Sequence, residues 1–351
     1  MDHRTTTTHG RPAHEGPSHA GPTHEGPGHE GPGHGPASAD PEAPAGDAGP
    51  EVPAPAGAAP LPEVPGVTHR WVEVGDVTLH VAEAGTGDPL VLLHGFPQHW
   101  YAWRHLVPEL SREHRLICVD LRGFGWSQAP ASGYDTDTRV ADVLALLDAL
   151  GLERVGLIGH EWGAWAGFRL CLRAPERISA YLALNMVHPW PLHRRLAPQA
   201  WRYWYTSVLE FPGLGRWVLR RRPGFTRFLL RKGYVDRRGW DPAAVAEYLR
   251  SGAEPARARA GELLHRAYAL RDVPALLRGR DKAARLTVPT VILAGAEDFV
   301  LPPGVLAGGE RYADDLRVEV VPGAGHYLHE ERPDVVVAAA RALFGQSRSA
   351  K

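Results

Sequence analysis

The sequence is poor in cysteine and nearly neutral in overall charge. Of its 351 residues only Cys118 and Cys171 are cysteines, and both stand in apolar runs, "RLICVD" and "FRLCLRAP". We expect them to be small core residues, so neither a disulfide framework nor a cysteine-based metal site is predicted. The formal net charge of −1 gives no bulk electrostatic field toward nucleic acid or an anionic membrane, so neither is an expected partner.

Long apolar segments and a signal sequence are also lacking. No uninterrupted apolar run reaches the roughly 20 residues that span a bilayer, and the N-terminal "MDHRTTTTHGRPAHEG" has no apolar stretch of the kind that directs secretion. The sequence therefore predicts a soluble, cytoplasmic protein. Its length and its apolar share of 44% suit one large domain, or a core with an inserted second domain.

Residues 1–66 differ in composition from the rest of the chain. A histidine recurs at every fifth residue from His9 to His34, mostly as x-H-E-G-P, and a Pro/Ala-rich stretch follows. So much proline and glycine with so little to bury predicts a disordered tail and linker. The histidines have two interpretations: weak binding of nickel, copper or zinc by an array of imidazoles, or a low-complexity extension without a site.

The remaining sequence alternates between strand and helix patterns, with one interruption. Residues 67–187 begin with a hairpin pattern and continue through short apolar runs such as "PLVLLHG", each followed by a helical segment. Residues 188–285 are helical in character and rich in Arg, Trp and Leu, and alternation resumes over 286–346, with 347–351 as a short tail. We predict an α/β fold: a mostly parallel, doubly wound sheet with an inserted helical cap.

Three residues with reactive side chains each follow a candidate strand, and their order along the chain is informative. "GHEWG" places Glu161 between Gly159 and Gly163, in the G-x-nucleophile-x-G outline of a sharp strand-to-helix turn. Asp298 follows the strand "TVILAG", and His326 follows "LRVEVV". Nucleophile, acid and histidine in this chain order are typical of the α/β-hydrolase arrangement.

Each group has a rival nearby in the sequence. Asp298 is favoured over its neighbour Glu297 by its spacing from the preceding glycine. His326 is favoured over His329 because it follows the small-residue turn "GAG". A serine esterase is not predicted, since the ordered part has no G-x-S-x-G and Ser127 in "GFGWSQA" lacks the second glycine.

The motifs together resemble one branch of this superfamily. The chain from about Thr68 to Gly345 resembles the epoxide hydrolases: "HGFPQHWYAWR" is similar to their HGxP motif, "DLRGFGWS" to their D-x-R-G-x-G-x-S loop, and "GHEWG" to their G-H-D-W-G elbow. HGFP also occurs in haloacetate dehalogenases. Residues 1–66 have no counterpart in the branch, and Glu161 stands where the branch has aspartate.

The resemblance implies a two-step hydrolysis without a cofactor. Glu161 would attack an epoxide carbon, and His326, oriented by Asp298, would activate the water that cleaves the resulting ester. The backbone N–H groups of Phe96 and Trp162 would form the oxyanion hole. The other motif residues would shape the HGFP loop and the elbow and allow the backbone to pack closely there: His94, Gly95, Pro97, Gly159, His160 and Gly163.

The cap is expected to supply hydrogen-bond donors to the epoxide oxygen. Tyr205 and Tyr268 match the two tyrosines of the family loosely, and His265 lies three residues before Tyr268 on the same helical face. Tyr203 should point to a different face from Tyr205, so at most one of them should line the site. The aromatic and aliphatic cap sequence suggests a small apolar substrate.

The extra methylene of Glu161 leaves three outcomes open. It displaces the carboxylate by about 1.5 Å, and a misplacement of about 1 Å can cost roughly 10²-fold in rate. Glu161 is then a nucleophile in a re-formed pocket, a general base, or part of a silent ligand-binding site. A dehalogenase is the enzymatic alternative, because the Trp162 indole could bind a leaving halide, although Phe96 lacks a second donor.

Overall fold

The structure, a computed structural model, describes residues 51–54, 58–191 and 193–349. Within this described part, nine strands form one sheet in the order β1-β2-β3-β5-β4-β6-β7-β8-β9. The strands are β1 Glu51–Val52, β2 Thr68–Val74, β3 Val77–Ala84, β4 Asp88–Leu93, β5 His114–Val119, β6 Val155–His160, β7 Ile178–Leu184, β8 Thr290–Gly295 and β9 Leu316–Val321.

The sheet is antiparallel at one edge and parallel elsewhere. β1, β2, β3 and β5 pair antiparallel in succession, whereas every pairing from β5 through β4 and β6 to β9 is parallel. The carboxyl ends of the parallel strands therefore meet at one edge, where open α/β sheets bind their ligands.

Helices cover both faces of the sheet. Those of the described residues are α1 Val107–Leu110, α2 Thr136–Ala149, α3 Trp162–Arg173, α4 His193–Leu196, α5 Trp204–Glu210, α6 Leu214–Arg221, α7 Pro223–Gly233, α8 Pro242–Gly252, α9 Pro255–Ala267, α10 Val273–Leu277, α11 Leu328–Glu331 and α12 Pro333–Ser349. Short 3-10 turns occur at Trp100–Trp103, Pro175–Arg177, Ala197–Tyr203, Arg237–Gly239, Pro303–Leu306 and Gly309–Tyr312, and a π-helical turn at Tyr268–Asp272.

The central strands are buried on both sides because their side chains alternate between two apolar cores. On β4, Val91 and Leu93 join the core that contains α2 and α3, and Leu90 and Leu92 join the core that contains α1 and α12. This explains why "PLVLLHG" reads as a continuous apolar run. The predicted mostly parallel, doubly wound sheet is confirmed.

The chain between β7 and β8 is helical, as the sequence pattern predicts for the cap. Seven helices of the described residues, α4 to α10, lie in this segment, and α9 ends where the π-helical turn begins at Tyr268. The start of α8 is capped by a side chain: Asp241 precedes this helix and accepts the N–H groups of Ala243 and Ala244, with Pro242 as the first helical residue.

The boundary between linker and core differs from the predicted one at residue 67. Glu51 and Val52 pair with β2, and the side chains of Val52, Leu61 and Val64 pack against the core that contains α12. Apolar residues scattered through the Pro/Ala-rich stretch thus have a partner in the edge of the sheet, which composition alone does not reveal. The predicted disorder of residues 1–50 and the metal-binding interpretation of their histidines lie outside the described residues.

Membrane-spanning helices and metal sites were searched for among the described residues only. In that part of the chain, none of the helices combines the length and the apolar character that a membrane span requires. No group of three or more His, Cys, Asp or Glu side chains there could hold a metal ion. The cytoplasmic location stays a prediction. Cys118 and Cys171 are buried free thiols in the two cores, as predicted.

Candidate active site

Glu161 occupies a sharp turn between β6 and α3. Its backbone has φ 48° and ψ −113°, a left-handed conformation that is unusual for a residue other than glycine. The turn is held because a Cβ at Gly163 would collide with the carbonyl oxygen of Leu93, and a Cβ at Gly159 would lie 2.7 Å from the Cα of Ala164. Both glycines therefore allow α3 to pack closely against the sheet.

The carboxylate of Glu161 is bound by a backbone N–H group. Phe96 N–H donates a hydrogen bond of 2.6 Å to Oε2 of Glu161, and the nearby N–H of Trp162 also stabilises the ionised carboxylate. Gly95 makes room for this contact, since a Cβ there would lie 2.5 Å from Glu161 Oε2 and 2.8 Å from the Nδ1 atom of His160. The two predicted oxyanion-hole donors thus converge on Glu161.

Burial controls the protonation of Glu161. It raises the pKa of this carboxyl group to about 7, although His326 and the N–H groups of Phe96 and Trp162 favour the charged form and act in the opposite direction. A carboxyl with a pKa near neutrality can serve as a nucleophile or as a general base.

Asp298 and His326 form a buried ion pair. The Nδ1 atom of His326 lies 2.9 Å from Oδ2 of Asp298. The other oxygen of Asp298 accepts the N–H groups of Val300 at 2.7 Å and Leu301 at 3.0 Å, which fix the carboxylate. Burial lowers the pKa of His326, but the attraction of Asp298, with a smaller contribution from Glu161, raises it above its usual value.

The rival residues lie elsewhere. Glu297 is exposed to solvent. His329 is buried, but its Nε2 atom bonds the side-chain oxygen of Gln98 at 3.1 Å, not Asp298. Ser127 donates to the carbonyl of Asp120 at 2.5 Å and accepts the N–H of His80, so it is a structural residue of its loop.

Asn185 belongs to the site and was not predicted from the sequence. It directly follows β7, has a left-handed φ of 49°, and donates from Nδ2 to Oδ2 of Asp298 at 2.8 Å and to the carbonyl of Gly325 at 3.1 Å. The amide ties the acid to the loop before His326. Its position at the carboxyl end of a central strand was the available signal.

Two histidines of the motifs have structural contacts. His94 accepts the N–H of Leu121 on Nε2 at 3.0 Å, and its Nδ1–H donates to the carbonyl of Gly95 at 3.0 Å. His160 lies 2.9 Å, at Nε2, from the carbonyl oxygen of His326. Burial lowers the pKa of both imidazoles, so they act as neutral linkers, and Pro97, buried beside them, follows Phe96 through a cis peptide bond.

The buried carboxylate of Glu330 links the cap to the core. It accepts hydrogen bonds from the side chains of Gln98 at 2.6 Å and Arg104 at 3.0 Å, both in the core, and from the cap hydroxyls of Tyr234 at 2.6 Å and Tyr248 at 2.8 Å. Glu330 stands four residues after His326, so the cluster fixes the histidine loop against α7 and α8. No sequence pattern indicates this cluster, because its members are far apart in the chain.

The cap tyrosines approach the elbow from α5 and from the end of α9. Burial raises the pKa of Tyr205 well above its ordinary value, and the charge of Glu161 adds to the rise. Tyr268 packs edge-on against Trp162, with ring centroids 4.7 Å apart. Tyr203, expected on a different face from Tyr205, is close enough to Asp298 for that charge to contribute to its raised pKa of about 12.

His265 lies close to the oxyanion-hole residues but is poorly suited to donate. Its Nδ1 atom is 2.7 Å from the carbonyl oxygen of Gly261, which can only accept, so Nδ1 carries the proton. Burial lowers the pKa of His265 to about 4, so at neutral pH Nε2 is an acceptor. This arrangement favours Tyr268 over His265 as the second donor.

The chain can now be compared with known proteins. Residues 88–333 match the model of a family described as alpha/beta hydrolase fold. The chain belongs to the alpha/beta hydrolase fold family. The nine-stranded sheet with its helical insertion and the elbow at Glu161 are the features of this hydrolase that agree with the match.

Relatives of this hydrolase include epoxide hydrolases and a dehalogenase. A soluble epoxide hydrolase of Corynebacterium sp. (strain C12) is 29% identical over 288 residues, which cover 80% of this chain and 99% of that protein. A fluoroacetate dehalogenase of Burkholderia sp is 28% identical over 296 residues, covering 81% and 96%. The solved structure of epoxide hydrolase CorEH without ligand has a TM-score of 0.70 at 27% identity, covering 80% of this chain and 99% of that one. The predicted resemblance to the epoxide hydrolase branch is confirmed.

Proposed function

We propose that this hydrolase opens a small apolar epoxide to a diol through a covalent ester on Glu161. The proposal rests above all on one observation: the Glu161 carboxylate already accepts the N–H of Phe96, and the N–H of Trp162 lies close enough to stabilise its charge. An ester formed on this carboxylate keeps its carbonyl oxygen in the same place, where those donors can stabilise the charge that develops during hydrolysis.

In the first step, an oxygen of the ionised Glu161 forms a bond to an epoxide carbon while the ring C–O bond breaks. The electron pair of that bond moves to the ring oxygen. Tyr205 and Tyr268 donate hydrogen bonds to this oxygen, which takes up a proton from solvent. The product is a hydroxyalkyl ester of Glu161.

In the second step, His326 removes a proton from water and the hydroxide adds to the ester carbonyl. Phe96 and Trp162 stabilise the resulting oxyanion, and Asp298 stabilises the charged His326. When the intermediate collapses, the alkyl oxygen leaves and takes the proton from His326 as the diol. Glu161 is freed as a carboxylic acid, which releases one proton to solvent and returns to its ionised form. The sum is one epoxide and one water converted to one diol.

One observation favours a dehalogenase as the second candidate. Nε1 of Trp162 is buried and has no hydrogen-bond partner among the described residues, so this indole is a free donor next to the nucleophile. A halide leaving the carbon attacked by Glu161 could accept it. Phe96 offers no second side-chain donor, and therefore we rank epoxide hydrolysis first.

Mass spectrometry of the His326→Gln variant tests the proposal. Because this variant lacks the base of the second step, the ester should accumulate after a single turnover with aryl or alkyl epoxides. The peptide that carries Glu161 should gain the mass of the epoxide. His326→Gln combined with Glu161→Gln is the matched control and should gain nothing.

Other outcomes would point to other functions. Diol formation by the unmodified chain without any adduct in the His326→Gln variant would indicate that Glu161 is a general base. Halide release from haloacetates together with an adduct would favour the dehalogenase. Thermal protection by candidate ligands that are not consumed, with no product, would indicate a binding protein.

The histidine-rich tail is a separate question. We propose, from its regular spacing alone, that its imidazoles bind nickel, copper or zinc weakly. Metal titration of the full chain and of a chain lacking residues 1–50 tests this. Binding that survives the deletion would contradict it, and hydrolysis should be unchanged by the deletion in either case.

A further inference from the structure

The cap carries an exposed aromatic surface that the proposed chemistry does not use. Among the described residues, every tryptophan and phenylalanine that is exposed lies within residues 201–228. These side chains retain between 43% and 62% of their accessible surface: Trp201, Trp204, Phe211, Trp217 and Phe228. Exposed aromatic side chains that are concentrated in one segment, unlike single ones scattered over a surface, are typical of an interaction site.

The same segment is strongly basic although the whole chain is nearly neutral. Residues 201–232 contain eight Arg or Lys residues and one acidic residue, a net charge of +7, whereas the whole chain has −1. The overall charge, from which no membrane partner was expected, therefore conceals a local positive field at the cap.

Most of these cations are not neutralised by the fold. Arg216 is paired with the buried carboxylate of Glu262. Six others are exposed and make no ion pair within the part of the chain that the structure describes: Arg220, Arg221, Arg222, Arg227, Arg231 and Lys232.

Cations and aromatic rings alternate on α6 and α7. The Arg222 guanidinium lies 5.2 Å from the ring centroid of Trp217, and the Lys232 ammonium lies 5.8 Å from that of Phe228. Leu214, exposed at the start of α6, is one helical turn before Trp217. The two helices thus present apolar groups framed by positive charge.

A concavity of about 550 Å³ opens on this surface. It is lined by Arg216, Trp217, Arg220, Arg221 and Arg222. With four guanidinium groups and an indole around it, the concavity suits phosphate oxygens attached to an apolar group.

We propose that this face of the cap, formed by α5, α6 and α7, binds the surface of a membrane that contains anionic phospholipids. Tryptophan and phenylalanine favour the headgroup level of a bilayer, and arginine and lysine are attracted to anionic headgroups. The surface offers both on the same helices. This proposal does not depend on the reaction at Glu161.

Two other occupants fit less well. A second copy docked through the same face would bring two segments of net charge +7 together, which is unfavourable. A nucleic acid would pair with the arginines, but the exposed Leu214 offers it neither a hydrogen bond nor a ring on which a base could stack. A phospholipid surface uses all of these side chains.

Flotation of the full chain with lipid vesicles tests the proposal. We expect binding to phosphatidylcholine vesicles that contain about 30% phosphatidylglycerol, much less binding to pure phosphatidylcholine, and loss of binding at high salt. Arg221→Gln with Arg227→Gln should weaken binding about 30-fold, since each cation near an anionic surface contributes about fivefold. Trp217→Ser with Phe228→Ser should weaken it as well.

The control variant removes two positive charges from the core instead of from the cap. Arg154 and Arg173 are exposed on the core and make no ion pair among the described residues, and their double Gln variant should bind vesicles like the unmodified chain. Equal losses in both double variants would overturn the proposal, and so would an absence of binding to anionic vesicles. Patch-dependent binding of single-stranded RNA without vesicle binding would overturn it in favour of a nucleic-acid partner. Unchanged melting temperatures would show that each variant is folded.

Discussion

The N–H of Phe96 lies 2.6 Å from Oε2 of Glu161 although the two residues are 65 positions apart. This contact shows how the site accommodates a glutamate. The longer side chain still delivers its carboxylate to the donors of the HGFP loop, because Gly95 leaves space for it. The geometry therefore supports a re-formed pocket over a silent one.

The first prediction concerns the pH dependence of ester formation. In the His326→Gln variant, only ionised Glu161 should react, so the single-turnover rate should rise tenfold per pH unit below the pKa of Glu161 and level off above it. His326 lowers the pKa of Glu161, which stands at about 7 in the unmodified chain, and its removal should place the midpoint at or above 7. A rate independent of pH between 5 and 8 would contradict the assignment of Glu161 as nucleophile.

The second prediction concerns stability. The folded chain keeps a proton on Glu161 up to about pH 7, whereas the unfolded chain loses it near pH 4.5, so unfolding becomes easier as the pH rises between these values. Glu161→Gln removes this penalty and should gain on the order of 3 kcal/mol relative to the unmodified chain from pH 4.5 to pH 8. Urea unfolding at both pH values measures the difference. Parallel curves at the two pH values would mean that the carboxyl titrates normally.

The third prediction separates the cap donors. Tyr205→Phe and Tyr268→Phe should each slow ester formation about 10²-fold, because each removes a donor to the developing alkoxide. His265→Gln should have a small effect, since Nε2 of His265 carries no proton at neutral pH. Tyr312, on the 3-10 turn before β9, stacks on Trp190; Tyr312→Phe is the matched control and should leave the rate of ester formation unchanged. A large effect of His265→Gln with a small effect of Tyr268→Phe would reverse the assignment.

The alternation of strand and helix patterns was sufficient to predict the sheet, and the order of the three reactive groups along the chain was sufficient to place Glu161, Asp298 and His326 at one of its edges. Sequence patterns carry this information because strand and helix periodicities repeat locally and the carboxyl ends of parallel strands converge. The same reasoning missed Asn185, whose role depends on a single left-handed residue that brings its amide to Asp298.

The Glu330 cluster could not be predicted for a different reason. Its four donors come from the HGFP loop, the following turn and two cap helices, and only the packing of the cap brings them together. The local sequence shows that Glu330 follows His326, but it does not indicate that the Glu330 side chain is buried.

The fourth prediction tests this cluster. Glu330→Gln should lower the free energy of unfolding by about 3 kcal/mol, because the buried guanidinium of Arg104 loses its closest charged partner. Asp334→Asn breaks the exposed pair with Arg332 and should cost less than about 1 kcal/mol. Chemical denaturation of the two variants compares them directly. Equal costs would mean that Glu330 is not the link between cap and core that its contacts suggest.

The strand made by Glu51 and Val52 has a consequence for handling the protein. A chain cut at residue 67, where composition places the boundary, would lose this strand and also the carbonyl of Ala59, which accepts the indole N–H of Trp126 at 2.7 Å. The outer edge of β2 would then be bare, and bare strand edges recruit other chains. The solubility of a shortened chain would thus depend on keeping residues 51–66, which their composition alone would mark as linker.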